Sequence, residues 1–239
     1  MENDITIMGV RISRDLAAPL PHYECQKCED RGYIVWQDDD KIVHSKPCEC
    51  AAKKRSIQQL KSSGLEGLIR QYTFKAFKTP TKWHEELKEK AKRYVVDDSG
   101  SWFYIGGTPG SGKTHICTAI SGQLIARCKP VRYMVWREAI PKLKAMVNTE
   151  EYEEELNKFI RVKILYIDDF LKGTVTDADL NLAFTILNAR YNDPQKRTII
   201  SSEKTLAEIS RYDPAIMGRI YERSKGYIFK TPEKDWRTA

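Results

Sequence analysis

The chain has 239 residues, 41% hydrophobic and 31% charged, and a net charge of +7. These proportions belong to a globular protein with room for one large domain, or a medium one beside a small one. No apolar run approaches membrane-spanning length, and Met1-Glu2-Asn3-Asp4 shows no signal-peptide pattern, so a cytoplasmic location is expected.

Residues 1–20 read as a mixed leader, and the first patterned segment is 21–50. It holds four of the six cysteines, as Cys25-x2-Cys28 and Cys48-x-Cys50. In a reducing compartment such clustering argues for a metal rather than disulfides. Between the pairs, Gly32 to Trp36 reads as a strand, Asp38-Asp39-Asp40 as a turn and Lys41 to His44 as the returning strand. That hairpin brings the pairs together, and a tetrahedral Zn²⁺ on four thiolates would replace the core that so short a segment cannot build. His22 or His44 is an alternative for one ligand, and redox-active or unliganded thiols are the alternative to zinc. Cys117 and Cys128 stand apart and are expected to pack.

Ala51 to Gly64 reads as a basic helix. The Tyr72-Thr73-Phe74-Lys75-Ala76-Phe77 stretch reads as an aromatic loop, and Thr81 is a candidate cap for a helix from Lys82 to Val96. Between Lys53 and Arg93 there are twelve Lys or Arg against four Glu. Such a surplus fits a solvated helical linker as well as it fits a surface for nucleic acid or an acidic partner.

The most specific motif follows. Trp102 to Ile105 is an apolar strand, and Gly107-Thr108-Pro109-Gly110-Ser111-Gly112-Lys113-Thr114 fits G-x-x-x-x-G-K-[ST] at every fixed position. His115 is counted with this nucleotide cradle, and a helix over 114–128 leaves it. Glycines let the backbone curl around phosphate oxygens, and the helix N-terminus favours the same negative charge. Lys113 is expected on the β- and γ-phosphates of ATP, and the Thr114 hydroxyl on Mg²⁺. Downstream, strand 131–136 precedes helices over 137–147 and 150–160. Strand 162–168 ends in Asp168-Asp169, where Asp168 would orient Mg²⁺ and Asp169 would polarise the attacking water. Helix 177–191, strand 198–201, helices near 204–210 and 213–223 and strand 227–230 complete the pattern. Such alternation means an α/β fold with a parallel sheet covered on both faces. The expected division is a zinc-binding module over 1–64 and a P-loop ATPase domain over 65–239.

With these pieces placed, the chain resembles replicative helicase loaders of the DnaC/DnaI type. These are AAA+ ATPases, also similar to the transposition helper IstB. The resemblance rests on the two cysteine pairs, the Tyr72 to Phe77 loop, the phosphate loop, Ile167-Asp168-Asp169, Ile199-Ile200-Ser201-Ser202 and Gly218-Arg219-Ile220. It implies a five-stranded parallel sheet in 5-1-4-3-2 order. It also implies slow ATP hydrolysis that switches affinity for a hexameric replicative helicase and single-stranded DNA, with self-association on ATP. By the same resemblance Ser202 is the polar sensor, with Ser201 and Glu203 as neighbours. Arg219 is the arginine finger, with Arg223 second. The helical pair from Arg137 to Arg161 corresponds to a DNA-contacting insertion. Two departures stand out. Asp169 replaces the usual Glu, and the chain ends at Ala239, where no helical lid is expected to follow. The alternative functions are a transposition helper and a non-hydrolysing adaptor.

Overall fold

The computed structural model describes residues 5–7, 10–12, 23–62 and 66–232. It divides into two compact units, Met1–Ala51 and Ala52–Ala239.

The first unit contains two antiparallel pairs. β1 (Ile5–Ile7) pairs with β2 (Val10–Ile12), a ribbon in the segment expected to be an unpatterned leader. β3 (Tyr33–Gln37) pairs with β4 (Val43–Pro47), with Tyr33 opposite Pro47 and Gln37 opposite Val43. The turn is tied by Asp38, whose Oδ1 accepts from Ile42 N at 2.8 Å. This hairpin buries little, since Tyr33, Val35 and Val43 stay exposed. Two strands alone are marginal in water, so something other than apolar burial must hold it. α1 (Glu49–Ser62) begins directly after Cys48.

The second unit continues through α2 (Glu66–Gln71) and α3 (Lys82–Val96). β5 (Phe103–Gly106), α4 (Lys113–Ala126), β6 (Val131–Val135), α5 (Trp136–Met146), α6 (Glu151–Ile160) and β7 (Ile164–Asp168) follow. The chain then runs through α7 (Asp177–Tyr191), β8 (Arg197–Ser202), α8 (Leu206–Tyr212), α9 (Pro214–Arg223) and β9 (Ile228–Lys230). The strands form one sheet in the order β6-β7-β8-β5-β9, every neighbouring pair parallel. This is the 5-1-4-3-2 order read from the other edge.

Period-2 alternation sorts the strand side chains into two cores. Phe103, Ile105, Ile164, Tyr166 and Ile199 join α3 and α4 on one face. Trp102, Tyr104, Leu165, Ile167 and Ile200 join α5 to α9 on the other. All ten are 4% exposed or less. At about 1.5–3 kcal/mol per fully buried large apolar side chain, these two layers dominate the stability of the unit. Both faces being covered explains the continuous apolar runs. Trp136, expected as the last residue of β6, instead opens α5 and is buried in the second core.

Arg190, fully buried on α7, holds one end of the sheet together. Its guanidinium donates to Thr198 Oγ1 and to the carbonyls of Phe159, Ile160, Val162, Lys163 and Arg197. Burial pulls its pKa down from the ordinary value, and this ring of oxygens offsets the cost of burying the charge.

Candidate functional site

The carboxyl ends of β5, β7 and β8 meet at one crevice, as expected for a doubly wound sheet. The phosphate loop spans the gap from Gly106 to α4. Gly107 (φ +126°) and Gly112 (φ +84°) occupy backbone conformations that L side chains rarely adopt. The space beside both is tight: a Cβ on Gly107 would strike Thr231 Oγ1, and one on Gly112 would lie 3.1 Å from the Phe77 ring, which would have to yield slightly. Gly110 is also left-handed, at φ +75°. Thr108 O accepts from Ser111 Oγ at 2.8 Å, which closes the bend around Pro109. Lys113, 8% exposed, donates from Nζ to Gly107 O at 2.9 Å and to Thr108 O at 2.7 Å. Burial lowers its pKa, opposed by the charges of Glu203 and Asp169.

Asp168, at the tip of β7, is 6% exposed and takes hydroxyl donors from three other elements. Its Oδ1 accepts from Thr114 Oγ1 at 3.2 Å and from Ser201 Oγ, and its Oδ2 from Tyr133 OH at 3.0 Å. Burial first, and then the Asp168 charge, pushes the Tyr133 phenol well up, so it stays protonated and donates. A buried carboxylate beside a threonine hydroxyl is a hard oxygen pair, which suits Mg²⁺.

Asp169 turns the chain out of the strand in a left-handed conformation, φ +56°, which Asp tolerates better than most residues. Its N–H donates to Ser201 Oγ at 3.3 Å. Its carboxylate pairs with Lys172 Nζ at 3.2 Å, and the same ammonium reaches Glu203 at 2.9 Å.

The three sensor candidates are thereby separated. Ser201 and Ser202 are adjacent on β8, so they project to opposite faces of the sheet. Ser201 projects to the Asp168 side. Ser202 Oγ donates to Phe170 O at 2.7 Å and accepts from Lys204 N at 3.0 Å, away from that carboxylate. Glu203 is bound to Lys172.

His115 is turned away from the phosphate loop. It stacks on Tyr72 at 4.7 Å, meets Phe77 edge-on at 5.1 Å, and its Nε2 lies 3.0 Å from Thr73 O. Burial lowers its pKa. The aromatic segment is thus fixed against the first turn of α4. Its position beside the loop had no signal in residue spacing, since it depends on contacts such as that of Thr73 with His115, 42 residues apart.

The two arginines on α9 differ sharply. Arg223 donates to the carbonyls of Gly100, Tyr191, Asp193, Pro194 and Lys196 and lies over Trp102. Arg219 lies over Phe184 and reaches Asn188 Oδ1 at 2.9 Å and Ala215 O at 3.0 Å. Arg137 and Lys144 of α5 border a 310 Å³ cavity with Lys172 and Thr174. Lys144 is paired with Asp179 at 2.7 Å.

In the first unit the sulfur atoms of Cys25, Cys28, Cys48 and Cys50 all lie within 4.8 Å of one another. Cys25 and Cys48 are 3.7 Å apart, and Cys28 and Cys50 3.3 Å. A tetrahedron with Zn–S bonds of about 2.3 Å has edges of about 3.8 Å, so this donor set fits Zn²⁺. The turn is built for it. Asp30 accepts from Glu24 N and Cys25 N, and Cys48 N donates to Gly32 O at 2.8 Å. Burial opposes ionisation of Cys28, but bonds from Cys50 and Gly32 outweigh it and bring the thiol to about 7. His44 pairs with Asp38 at 2.6 Å and stacks on Trp36. His22 lies outside the described residues. Among the described residues, no helix is long and apolar enough to cross a membrane.

With this geometry in hand, comparison with known proteins is informative. Residues 50–223 match the family described as IstB-like ATP binding protein. Phage-like element PBSX protein XkdC of Bacillus subtilis is 32% identical over 221 residues, covering 86% of this chain and 81% of that protein. The replicative helicase loader DnaC of Escherichia coli is 26% identical over 141 residues, 57% of this chain and 58% of that one. The crystal structure of the DnaC helicase loader superposes with a TM-score of 0.61 at 19% identity, covering 69% of this chain and 98% of that one. The chain belongs to the IstB-like ATP-binding protein family and has the AAA+ fold of the DnaC-type helicase loaders.

Proposed function

We propose that this protein is an ATP-dependent loader of a hexameric replicative helicase onto single-stranded DNA. The observation that carries the reading is the convergence of Lys113, Thr114, Asp168 and Ser201 on one crevice in a chain whose relatives include replicative helicase loaders. In the proposed mechanism Gly107 to Thr114 cradle the ATP phosphates, and Lys113 exchanges its loop carbonyls for the β- and γ-phosphates. Thr114 and Asp168 would hold Mg²⁺, which when bound screens the phosphate charge. Asp169 accepts the proton of the attacking water. Ser201, rather than Ser202, orients Asp168 and the backbone of Asp169. Arg219 is the finger offered to a neighbouring subunit. The cysteine cluster would hold Zn²⁺ and give residues 21–50 a rigid surface for the helicase. Arg137, Lys142 and Lys144 would contact DNA phosphates.

The family match favours one second reading, an ATPase that assists a transposase. Affinity capture with the full chain and ATP, read by mass spectrometry, decides between them. A hexameric helicase is the expected prey, and a transposase in its place would overturn the loader reading. For the chemistry, Lys113→Ala should lose most ATP affinity by calorimetry, whereas Asp169→Asn should keep binding and lose turnover. Turnover that survives Asp169→Asn would move the base elsewhere.

A further inference from the structure

We propose that Tyr133 is a positioning residue for the metal–nucleotide site, fixing the Asp168 carboxylate so that Oδ1 is presented towards Thr114. The inference rests on the reading of Thr114 and Asp168 as the Mg²⁺ pair. It adds a residue that no motif contains, on the strand beside the one that carries Asp168.

The two oxygens of Asp168 have different partners. Oδ1 faces the Thr114 hydroxyl at 3.2 Å and accepts from Ser201 Oγ, and Oδ2 faces Tyr133 at 3.0 Å in a bond buried from solvent. A carboxylate on a strand tip has two soft torsions, and either oxygen could turn to the cation. With Ser201 on Oδ1, the phenol on Oδ2 removes that freedom. Tyr133 is itself locked. It is 8% exposed, its ring packs 5.0 Å from that of Tyr166, and β6 runs parallel to β7 with Tyr133 opposite Tyr166. A donor on a rigid neighbouring strand is the arrangement by which outer residues orient metal ligands, and losing such a partner costs roughly 10- to 100-fold in metal affinity. Alternative roles for Tyr133 are weaker. A packing tyrosine would need no polar partner in the site, and its hydroxyl would be free to point elsewhere.

The test is Mn²⁺ binding by electron paramagnetic resonance, on full-length protein with a non-hydrolysable ATP analogue. The same analogue's affinity is measured separately in EDTA. Tyr133→Phe keeps the ring and its packing. It should weaken Mn²⁺ about tenfold or more, while metal-free nucleotide affinity and the melting temperature change little. In an Asp168→Asn background the same substitution should have no further effect on Mn²⁺. Equal Mn²⁺ affinity in Tyr133→Phe and wild type would overturn the proposal. So would an equal loss of nucleotide affinity in EDTA and in Mn²⁺, or an undiminished effect in the Asp168→Asn background. A Tyr133→Phe protein that does not fold would also overturn it, by making the hydroxyl a determinant of the core. Wild-type protein that binds neither the analogue nor Mn²⁺ would instead remove the reading of the phosphate loop on which the inference stands.

Discussion

Ser201 and Ser202 are chemically identical and adjacent, yet their hydroxyls do different work. The pleat sends one to Asp168 and the other to the Phe170 carbonyl on the far face. Family resemblance put Ser202 first, because sequence alone gives the end of a strand only to within a residue or two. A one-residue shift of that end inverts every side chain. Ser201→Ala is therefore expected to slow ATP turnover by tenfold or more while thermal stability changes little. Ser202→Ala should leave turnover near wild type and cost about 1–3 kcal/mol, because Phe170 O and Lys204 N lose a buried partner. Paired turnover and denaturation measurements check both, and the reverse pattern would restore Ser202 as the sensor.

Elements were legible in proportion to the strength of their local signals. α3 and α7 run over the residues that the sequence pattern predicts, 82–96 and 177–191. Thr81 was the expected cap of α3, but its hydroxyl pairs with His84 Nδ1 instead of a backbone N–H. Full capping boxes occur at Thr176 with Asp179 and Thr205 with Glu208, where the T-x-x-[DE] spacing was available to be read. α2 was missed, because six residues cannot declare a helical period. The cysteine hairpin was legible from spacing alone. It carries a direct prediction: Cys48→Ser should release stoichiometric zinc, measured by metal analysis, and unfold residues 21–50. ATP affinity should stay within about twofold. Protein purified without chelator that contains no zinc would refute this. On α9 the contrast between the two arginines is a matter of stability. Arg223→Ala orphans carbonyls on two loops and at the end of α7 and should cost about 2–4 kcal/mol, from the usual worth of charged hydrogen bonds. Arg219→Ala should cost roughly 1 kcal/mol or less, since what it loses is partly exposed. Denaturant titration of the two variants separates them.

At the scale of the whole molecule, the proposed finger acts only between subunits. Arg219→Ala should bind ATP normally and fail to show DNA- or helicase-stimulated turnover. Mixing it with Lys113→Ala should partly restore that turnover, because an intact site then forms between unlike neighbours. A mixture that stays inactive would place the catalytic cation within the chain. Binding to single strands should fall steeply with salt as counterions are released. The sequence by itself determined the parallel α/β class, the phosphate loop, the Asp168-Asp169 strand end and the pairing of cysteines. Each is a local pattern in which neighbouring residues jointly satisfy one backbone geometry. Only the tertiary structure decided that Ser201 rather than Ser202 meets Asp168, that Tyr133 completes its shell, that His115 faces the aromatic segment, and that Arg223 clasps loops while Arg190 ties the sheet. Those choices depend on which strands lie side by side and which way each pleat points, and residues far apart in the chain leave no mark of that in its spacing.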